Sequence, residues 1–152
     1  MRIIEYSSNL AREITELFYM SVHAIDSSIY SEEQKNAWAP FAIDYVMWEK
    51  RLEHKKPYLL LINDQVAGFI ELELDGHINC AYVSPLFQRQ GVATALLNHA
   101  ICIAKELDVK QLYVEASTVA KPLFEKFGFI LQHENKVVKN DTLLINYTMT
   151  KR

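Results

Sequence analysis

Residues 90–107, QGVATALLNHAICIAKEL, constrain the fold more than any other stretch. They are rich in good helix formers. Two apolar stripes, Val92-Leu96-Ile103-Leu107 and Ala93-Leu97-Ala100-Ile101-Ala104, leave only a narrow polar edge. A helix this apolar must be buried, and its neighbours supply the surface that buries it. YLLLIND, QVAGFIELELD and HINCAYVSP before it, and QLYVEAS after it, read as strands. In the second of these, Phe69, Glu71 and Glu73 share one face while Ile70, Leu72 and Leu74 share the other. The first two strands meet at Asn63-Asp64-Gln65, and Asp75-Gly76 supplies the next turn.

Ahead of this region the period is helical. RIIEYS is a short β-prone segment, and from Leu10 the apolar residues Leu10, Ile14, Leu17, Phe18, Val22 and Ile25 recur at helical spacing. Ser31-Glu32-Glu33-Gln34 is a capping box whose helix must stop near Ala39, because Pro40 disfavours helical geometry in the residue before it. A further helix is expected from Phe41 to about His54. After QLYVEAS comes a short helix, KPLFEKFG, with proline in its first turn, and then a hairpin around Lys139-Asn140-Asp141. The order β-α-α-α-β-β-β-α-β-α-β-β defines an α/β domain with a mixed sheet.

Half of the 152 residues are hydrophobic, enough for one domain over residues 1–152 that buries roughly two-thirds of its unfolded surface. The 16 basic and 19 acidic residues give a net charge of −3, which supplies no global attraction to nucleic acid or to an anionic membrane. Cys80 and Cys102 lie in apolar-patterned segments without metal or redox spacing and are expected to be buried, reduced thiols. No segment approaches the ~18 apolar residues of a membrane span, so the chain is expected to be soluble and cytoplasmic.

Between the AYVSP strand and the long helix lies Gln88-Arg89-Gln90-Gly91-Val92-Ala93. The amides of a first helical turn lack intrahelical partners and form a ready anion site. Gly91 permits close approach to the backbone and Arg89 adds charge; each favourable charge at a helix end contributes ~0.3–1 kcal/mol when exposed. Equally, Gly91 could relax an ordinary strand-to-helix turn and Arg89 be solvated. Neither the dinucleotide fingerprint nor the P-loop is present.

QRQGVA resembles the Q/R-x-x-G-x-G/A pyrophosphate loop of the GNAT superfamily of acyl-CoA-dependent N-acetyltransferases. The resemblance extends through GFIELELDGHINCAYVSPLFQRQGVATALL, LYVEAS, AKPLFEKFGF and the terminal INYTM, nearly the whole chain. The front segment YSEEQKNAWAP resembles a small bacterial branch of that superfamily. The resemblance implies a mixed, mostly antiparallel sheet of six to seven strands flanked by helices, with a V-shaped opening between the fourth and fifth strands. It implies transfer of an acetyl group from acetyl-CoA to a primary amine of a small molecule or peptide, by direct attack in a ternary complex and without a metal. The alternative is an acyl-CoA-binding module without catalysis. Acetyl-CoA and the acceptor are the implied partners, with no nucleic acid or membrane, and a homodimer is compatible with the chain.

Carried onto this sequence, the resemblance gives the backbone around Gln88, Arg89, Gln90, Gly91, Val92, Ala93 and Thr94 to the pyrophosphate. It gives Ala81, Tyr82 and Val83 to the pantetheine arm, and the Val83 N–H to the thioester carbonyl. His77 lies six residues before Val83, where some relatives carry a strand-borne glutamate base, and Glu71 and Glu73 could relay a proton or form a solvated face. Glu115 either approaches the cleft or is a paired structural carboxylate. Phe124, in the cofactor site, stands where many relatives have the tyrosine that protonates the leaving thiolate, so the usual general acid is missing. Ser117, which could also contact the pantetheine, or Tyr82 could substitute. The aromatic residues Tyr30, Trp38, Phe41, Tyr45 and Trp48 belong either to the core or to an acceptor pocket.

Overall fold

A computed structural model describes all 152 residues, Met1–Arg152. In chain order it contains β1 (Arg2–Ile4), α1 (Ala11–His23), α2 (Glu32–Trp38), α3 (Tyr45–Lys55), β2 (Tyr58–Ile62), β3 (Gln65–Leu72) and β4 (His77–Val83). Then follow α4 (Val92–Glu106), β5 (Leu112–Ser117), α5 (Lys121–Lys126), β6 (Ile130–Lys139) and β7 (Thr142–Lys151). The strands form one sheet in the order β1-β2-β3-β4-β5-β7-β6. All neighbours are antiparallel except β4 and β5, which run parallel. This is the expected architecture, with seven strands.

The apolar run of β2 is explained by burial on both faces. Leu60 packs with Ile70, Leu96 and Ala100 under α4, while Leu59 and Leu61 pack with Ile14, Leu17 and Leu52 under α1 and α3. Gly68 brings α4 close to the sheet: a Cβ built there would lie 2.7 Å from Val92 Cγ1 and 2.9 Å from the Tyr82 carbonyl oxygen. The apolar stripes of α4 are therefore pressed onto β3 and β4 along much of their length.

Two irregularities shape what lies at the sheet's centre. Ile70 pairs with Ala81 but Leu72 pairs with Ile78, so Asn79 and Cys80 both stand opposite Glu71 in a β-bulge. The extra residue reverses the alternation along β4. Ile78 packs in the α4 core, whereas Cys80 and Tyr82 pack on the α1 side. The second irregularity is that β4 and β5 pair only at His77 with Tyr113 and Ile78 with Val114. Beyond that rung the strands separate, which forms the V-shaped opening.

Three expectations need correction. The third helix starts at Tyr45, not Phe41, because Asp44 caps it by accepting from the Met47 amide at 3.0 Å and Ala42 sits at φ 65°, outside helical geometry. Phe41 is left 83 % exposed. Cys102 is exposed on α4 and is not a core thiol. Leu107, counted in an apolar stripe, lies just past the end of α4 and is exposed.

Candidate functional site

The open edge of β4 presents free backbone. The Ser84 amide donates to the Ala67 carbonyl at 2.8 Å, and Val83 stands opposite Gly68. Amides alternate in direction along a strand, so Tyr82 N–H faces β3 whereas Ala81 and Val83 N–H face the gap that β5 has left. Of the three residues expected on the pantetheine arm, Tyr82 thus offers its side chain and not its amide.

The strand edge leads into a turn at Pro85–Phe87 and then to α4. Arg89 (φ 63°) and Gly91 (φ 77°) both lie in the left-handed region, which turns successive amides toward one point. The first helical bond is Ala95 N–H to the Gly91 carbonyl at 3.0 Å, and the amides from Gln88 to Thr94 donate to no protein acceptor. Nothing lies within 4 Å of a Cβ built on Gly91. Gln88 braces the turn by donating from Nε2 to the Val83 carbonyl at 3.4 Å.

Two cavities flank the gap. One, of about 640 Å³, is walled by Ala81, Val83, Gln88, Ala93, Ser117 and Phe124 and is mainly apolar. The other, of about 700 Å³, holds the aromatic rings of Phe18, Tyr30 and Trp48 with the polar groups Arg51, Asn79 and Glu115. Trp38, Tyr82 and Ser117 border both cavities. The Trp38 indole N–H donates to the Tyr82 hydroxyl at 3.2 Å, which fixes this shared wall. Of the aromatic cluster in the front half, Tyr30, Trp38 and Trp48 line the second cavity; Tyr45 instead bonds Glu16 and packs on Arg12.

The candidate bases form two groups. Glu71 is fully buried opposite the bulge, with Arg51 Nη2 at 2.6 Å and Cys80 Sγ 3.2 Å from the same nitrogen. Burial pushes its carboxyl above the usual range, against the opposing pull of Arg51, and its Oε2 has no partner. It is not part of a solvated face. Glu73 belongs to the other group, bonding Lys55 at 3.1 Å, Asn79 Nδ2 at 3.0 Å and lying 3.3 Å from His77 Nδ1. Desolvation acts upward on Glu73, but the Lys55 and His77 contacts outweigh it and hold the carboxyl below its ordinary value. His77 Nε2 lies 3.0 Å from both oxygens of Glu115, and its ring stacks on Tyr113 at 4.6 Å and 9°.

Residues 26–151 match the family model described as the acetyltransferase (GNAT) domain. The chain belongs to this family. The GNAT chain is 32 % identical over 149 residues to the uncharacterized N-acetyltransferase YafP of Escherichia coli (strain K12), covering 98 % of this chain and 94 % of that one. A GCN5-related N-acetyltransferase from Rhodopseudomonas palustris superposes with a TM-score of 0.93 at 30 % identity, over 99 % of this chain and 94 % of the other. The structure of yncA from Salmonella typhimurium, described as a putative acetyltransferase with its cofactor acetyl-CoA, has the same fold. Its TM-score is 0.74 at 16 % identity, over 100 % of this chain and 93 % of that one.

In this GNAT domain Phe124 is 2 % exposed, stacks edge-on against Phe129 and walls the apolar cavity without a proton to give. Ser117 Oγ accepts from the Ala120 amide at 3.1 Å, leaving its own hydrogen free to donate. Burial above all raises the Tyr82 hydroxyl well above its usual range, so Tyr82 holds its proton firmly. The Cys80 thiol is pushed up to about 12, first by burial and then by Glu71. It is therefore a poor nucleophile. Sequence reasoning missed Arg51 and Asn79. Arg51 reads as one more charge on a helix, and Asn79 reaches the cavity only through the bulge.

Proposed function

We propose that this chain transfers the acetyl group of acetyl-CoA to a primary amine by direct attack in a ternary complex, acting as one domain over residues 1–152. The observation that carries this reading is two neighbouring sets of unpaired backbone donors, one on the strand edge and one at the start of α4, separated by the paired turn Ser84–Phe87. The first set is Ala81 and Val83, and the second runs from Gln88 to Thr94. Together they suit a ligand with an amide-bearing arm at one end and a pyrophosphate at the other, which is the chemistry of coenzyme A. The acetyl-CoA named with the Salmonella relative supports the same choice.

In this reading the pyrophosphate sits on the amides of Gln88, Arg89, Gln90, Gly91, Val92, Ala93 and Thr94. The arm pairs with Ala81 and Val83 past Tyr82, Ser117 and Phe124, and the Val83 N–H faces the carbonyl oxygen on which charge develops. The amine enters from the aromatic cavity. A lysine-like amine with a pKa of ~10.4 is almost wholly protonated near pH 7, a handicap of roughly 4–5 kcal/mol that a base reaching the aromatic cavity relieves. With Phe124 in place of a tyrosine acid, Ser117 or solvent serves the leaving thiolate, whose parent thiol has a pKa of about 8.5 by analogy with cysteine.

Phe124 also motivates a second reading, a module that binds acyl-CoA without turnover. Both readings predict that acetyl-CoA at 100 times its dissociation constant raises the melting temperature by ~5–10 °C, from ~2.7 kcal/mol of binding energy at ~2–4 °C per kcal/mol. No rise removes both. Release of CoA thiol with any member of an amine panel separates them in favour of the enzyme.

A further inference from the structure

The last closed rung between β4 and β5 pairs Ile78 with Val114, one residue past the pairing of His77 with Tyr113, and Glu115 follows Val114, just past the point where the strands part. Glu115 therefore stands at the apex of the V. Its side chain is 42 % exposed and lines the aromatic cavity, whereas His77 is 16 % exposed and lines neither cavity. Both ring nitrogens of His77 are engaged, Nε2 with Glu115 and Nδ1 with Glu73. Stacking on Tyr113 holds the ring plane, and Asp75 accepts from the His77 amide at 3.1 Å. Lys55, reaching from α3, anchors Glu73. The result is a line of groups, Lys55, Glu73, His77 and Glu115, that begins on a helix and ends in the cavity.

We propose that Glu115 is the catalytic residue that receives the amine as an ammonium and takes its proton, and that His77 is the positioning residue behind it. This rests on the acetyltransferase reading above. A carboxylate alone is a weak base toward an ammonium, while an imidazole is about two pH units more basic. In the neutral tautomer whose Nδ1–H faces Glu73, the free Nε2 beside Glu115 provides the second stop for the proton, and Glu73 and Glu115 flank the charge that then resides on the ring.

The ammonium gives one proton to Glu115 and His77, which later release it to solvent. The freed nitrogen lone pair forms the C–N bond at the thioester carbon, and the carbonyl electron pair moves to the oxygen facing Val83 N–H. Collapse breaks the C–S bond, and the thiolate leaves with the second proton from nitrogen. The charged and titratable groups facing the pair are Glu73 just past the end of β3, Asp75 in the following turn, Tyr113 on β5 and Lys55 on α3. Arg51 and Lys139 border the cavity, and the β7 neighbour of Glu115 is the uncharged Thr148.

The test compares the wild type with Glu115→Gln, Glu115→Asp and His77→Gln, using acetyl-CoA with butylamine and benzylamine as probes from pH 6 to pH 10. Glu115→Gln is expected to lower kcat by roughly 10²-fold near pH 7, with the deficit closing as pH approaches the amine's own pKa. Glu115→Asp recovers part of the loss. His77→Gln shifts the rising limb of the pH profile with little change in KM, an effect that lost packing alone does not produce. In a second measurement, on CoA-bound protein, benzylammonium is expected to move the side-chain NMR signals of His77 in the wild type and not in Glu115→Gln. Parallel pH profiles for wild type and Glu115→Gln, or His77 signals indifferent to benzylammonium in the wild type, overturn the assignment. In either case an intact acetyl-CoA melting shift leaves the donor site standing. A wild type without that shift fails at the acetyltransferase reading and takes the inference with it.

Discussion

At the scale of single residues, Gly91 and Arg51 show how position converts an ordinary side chain into a constraint. Gly91 has φ 77° and open space where a Cβ would be, so any clash there comes from a ligand. Gly91→Glu costs about 1–2 kcal/mol for the left-handed backbone and places a carboxylate where the pyrophosphate is proposed to lie. Titration calorimetry is expected to show CoA affinity reduced at least ~10-fold, since 1.4 kcal/mol of lost binding already gives that factor. Unchanged affinity would move the pyrophosphate elsewhere. Arg51 is the ion-pair partner of Glu71, whose side chain is 1 % exposed. Arg51→Met is expected to cost about 3–5 kcal/mol in urea unfolding near neutral pH, because it leaves a buried carboxylate alone. The folded pKa of Glu71 is already raised, so its stabilising share is full below the unfolded value and is lost as pH rises through the folded one. Removing Arg51 raises the folded value further. The gap between variant and wild type is therefore expected to be wider at pH 7.5 than at pH 5, and an equal gap at both would show that Glu71 does not depend on Arg51.

At the scale of elements, the β3, β4 and α4 unit carries both the centre of the fold and the proposed donor site. Gly68→Ala drives a methyl against Val92, Leu96 and the Tyr82 carbonyl, so it is expected to cost about 1–3 kcal/mol and to lower the melting temperature measurably. The same unit makes a prediction for hydrogen exchange. Tyr82 and Ser84 amides, which face β3, should exchange slowly without ligand, while Ala81 and Val83 should slow only when CoA is added. Slow exchange at Val83 in the free protein would contradict the open edge. These elements also show what the sequence made legible. The α4 pattern, the capping box at Ser31 and Gln34, and the apolar strand runs are local, so spacing alone located them. The apposition of His77 and Glu115 depends on the parallel pairing of two strands separated by a helix, and the Glu71, Arg51 and Cys80 group depends on one extra residue at Asn79–Cys80. Neither leaves a trace in periodicity. The resemblance of QRQGVA to the family loop points to the proposed donor site because such a loop is contiguous in sequence, whereas the second cavity is assembled from α1, α2, α3, β4, β5 and the β6–β7 turn.

At the scale of the whole molecule, the two cavities bear on the proposed kinetic mechanism. They touch only at Trp38, Tyr82 and Ser117, with the donor cavity running toward α4 and the aromatic cavity running toward α1, α3 and the end of the β6–β7 hairpin. Under the proposed function, donor and acceptor would be bound together, each from its own side, with their reacting atoms brought near the gap between β4 and β5. A covalent route would need a nucleophile at that junction. Cys80 borders only the acceptor cavity, and its thiol, at about 12, is almost wholly protonated near pH 7. Ser117 is at the junction, but no histidine or carboxylate is hydrogen-bonded to its hydroxyl to activate it. Initial rates measured at several fixed amine concentrations are therefore expected to give intersecting reciprocal plots. The mass of the protein is expected to stay unchanged after incubation with acetyl-CoA alone, and Cys80→Ala to retain kcat within about threefold, a difference of ~0.65 kcal/mol in barrier. Parallel plots together with an acetylated protein would require a covalent intermediate, and loss of turnover in Cys80→Ala would identify the thiol that carries it.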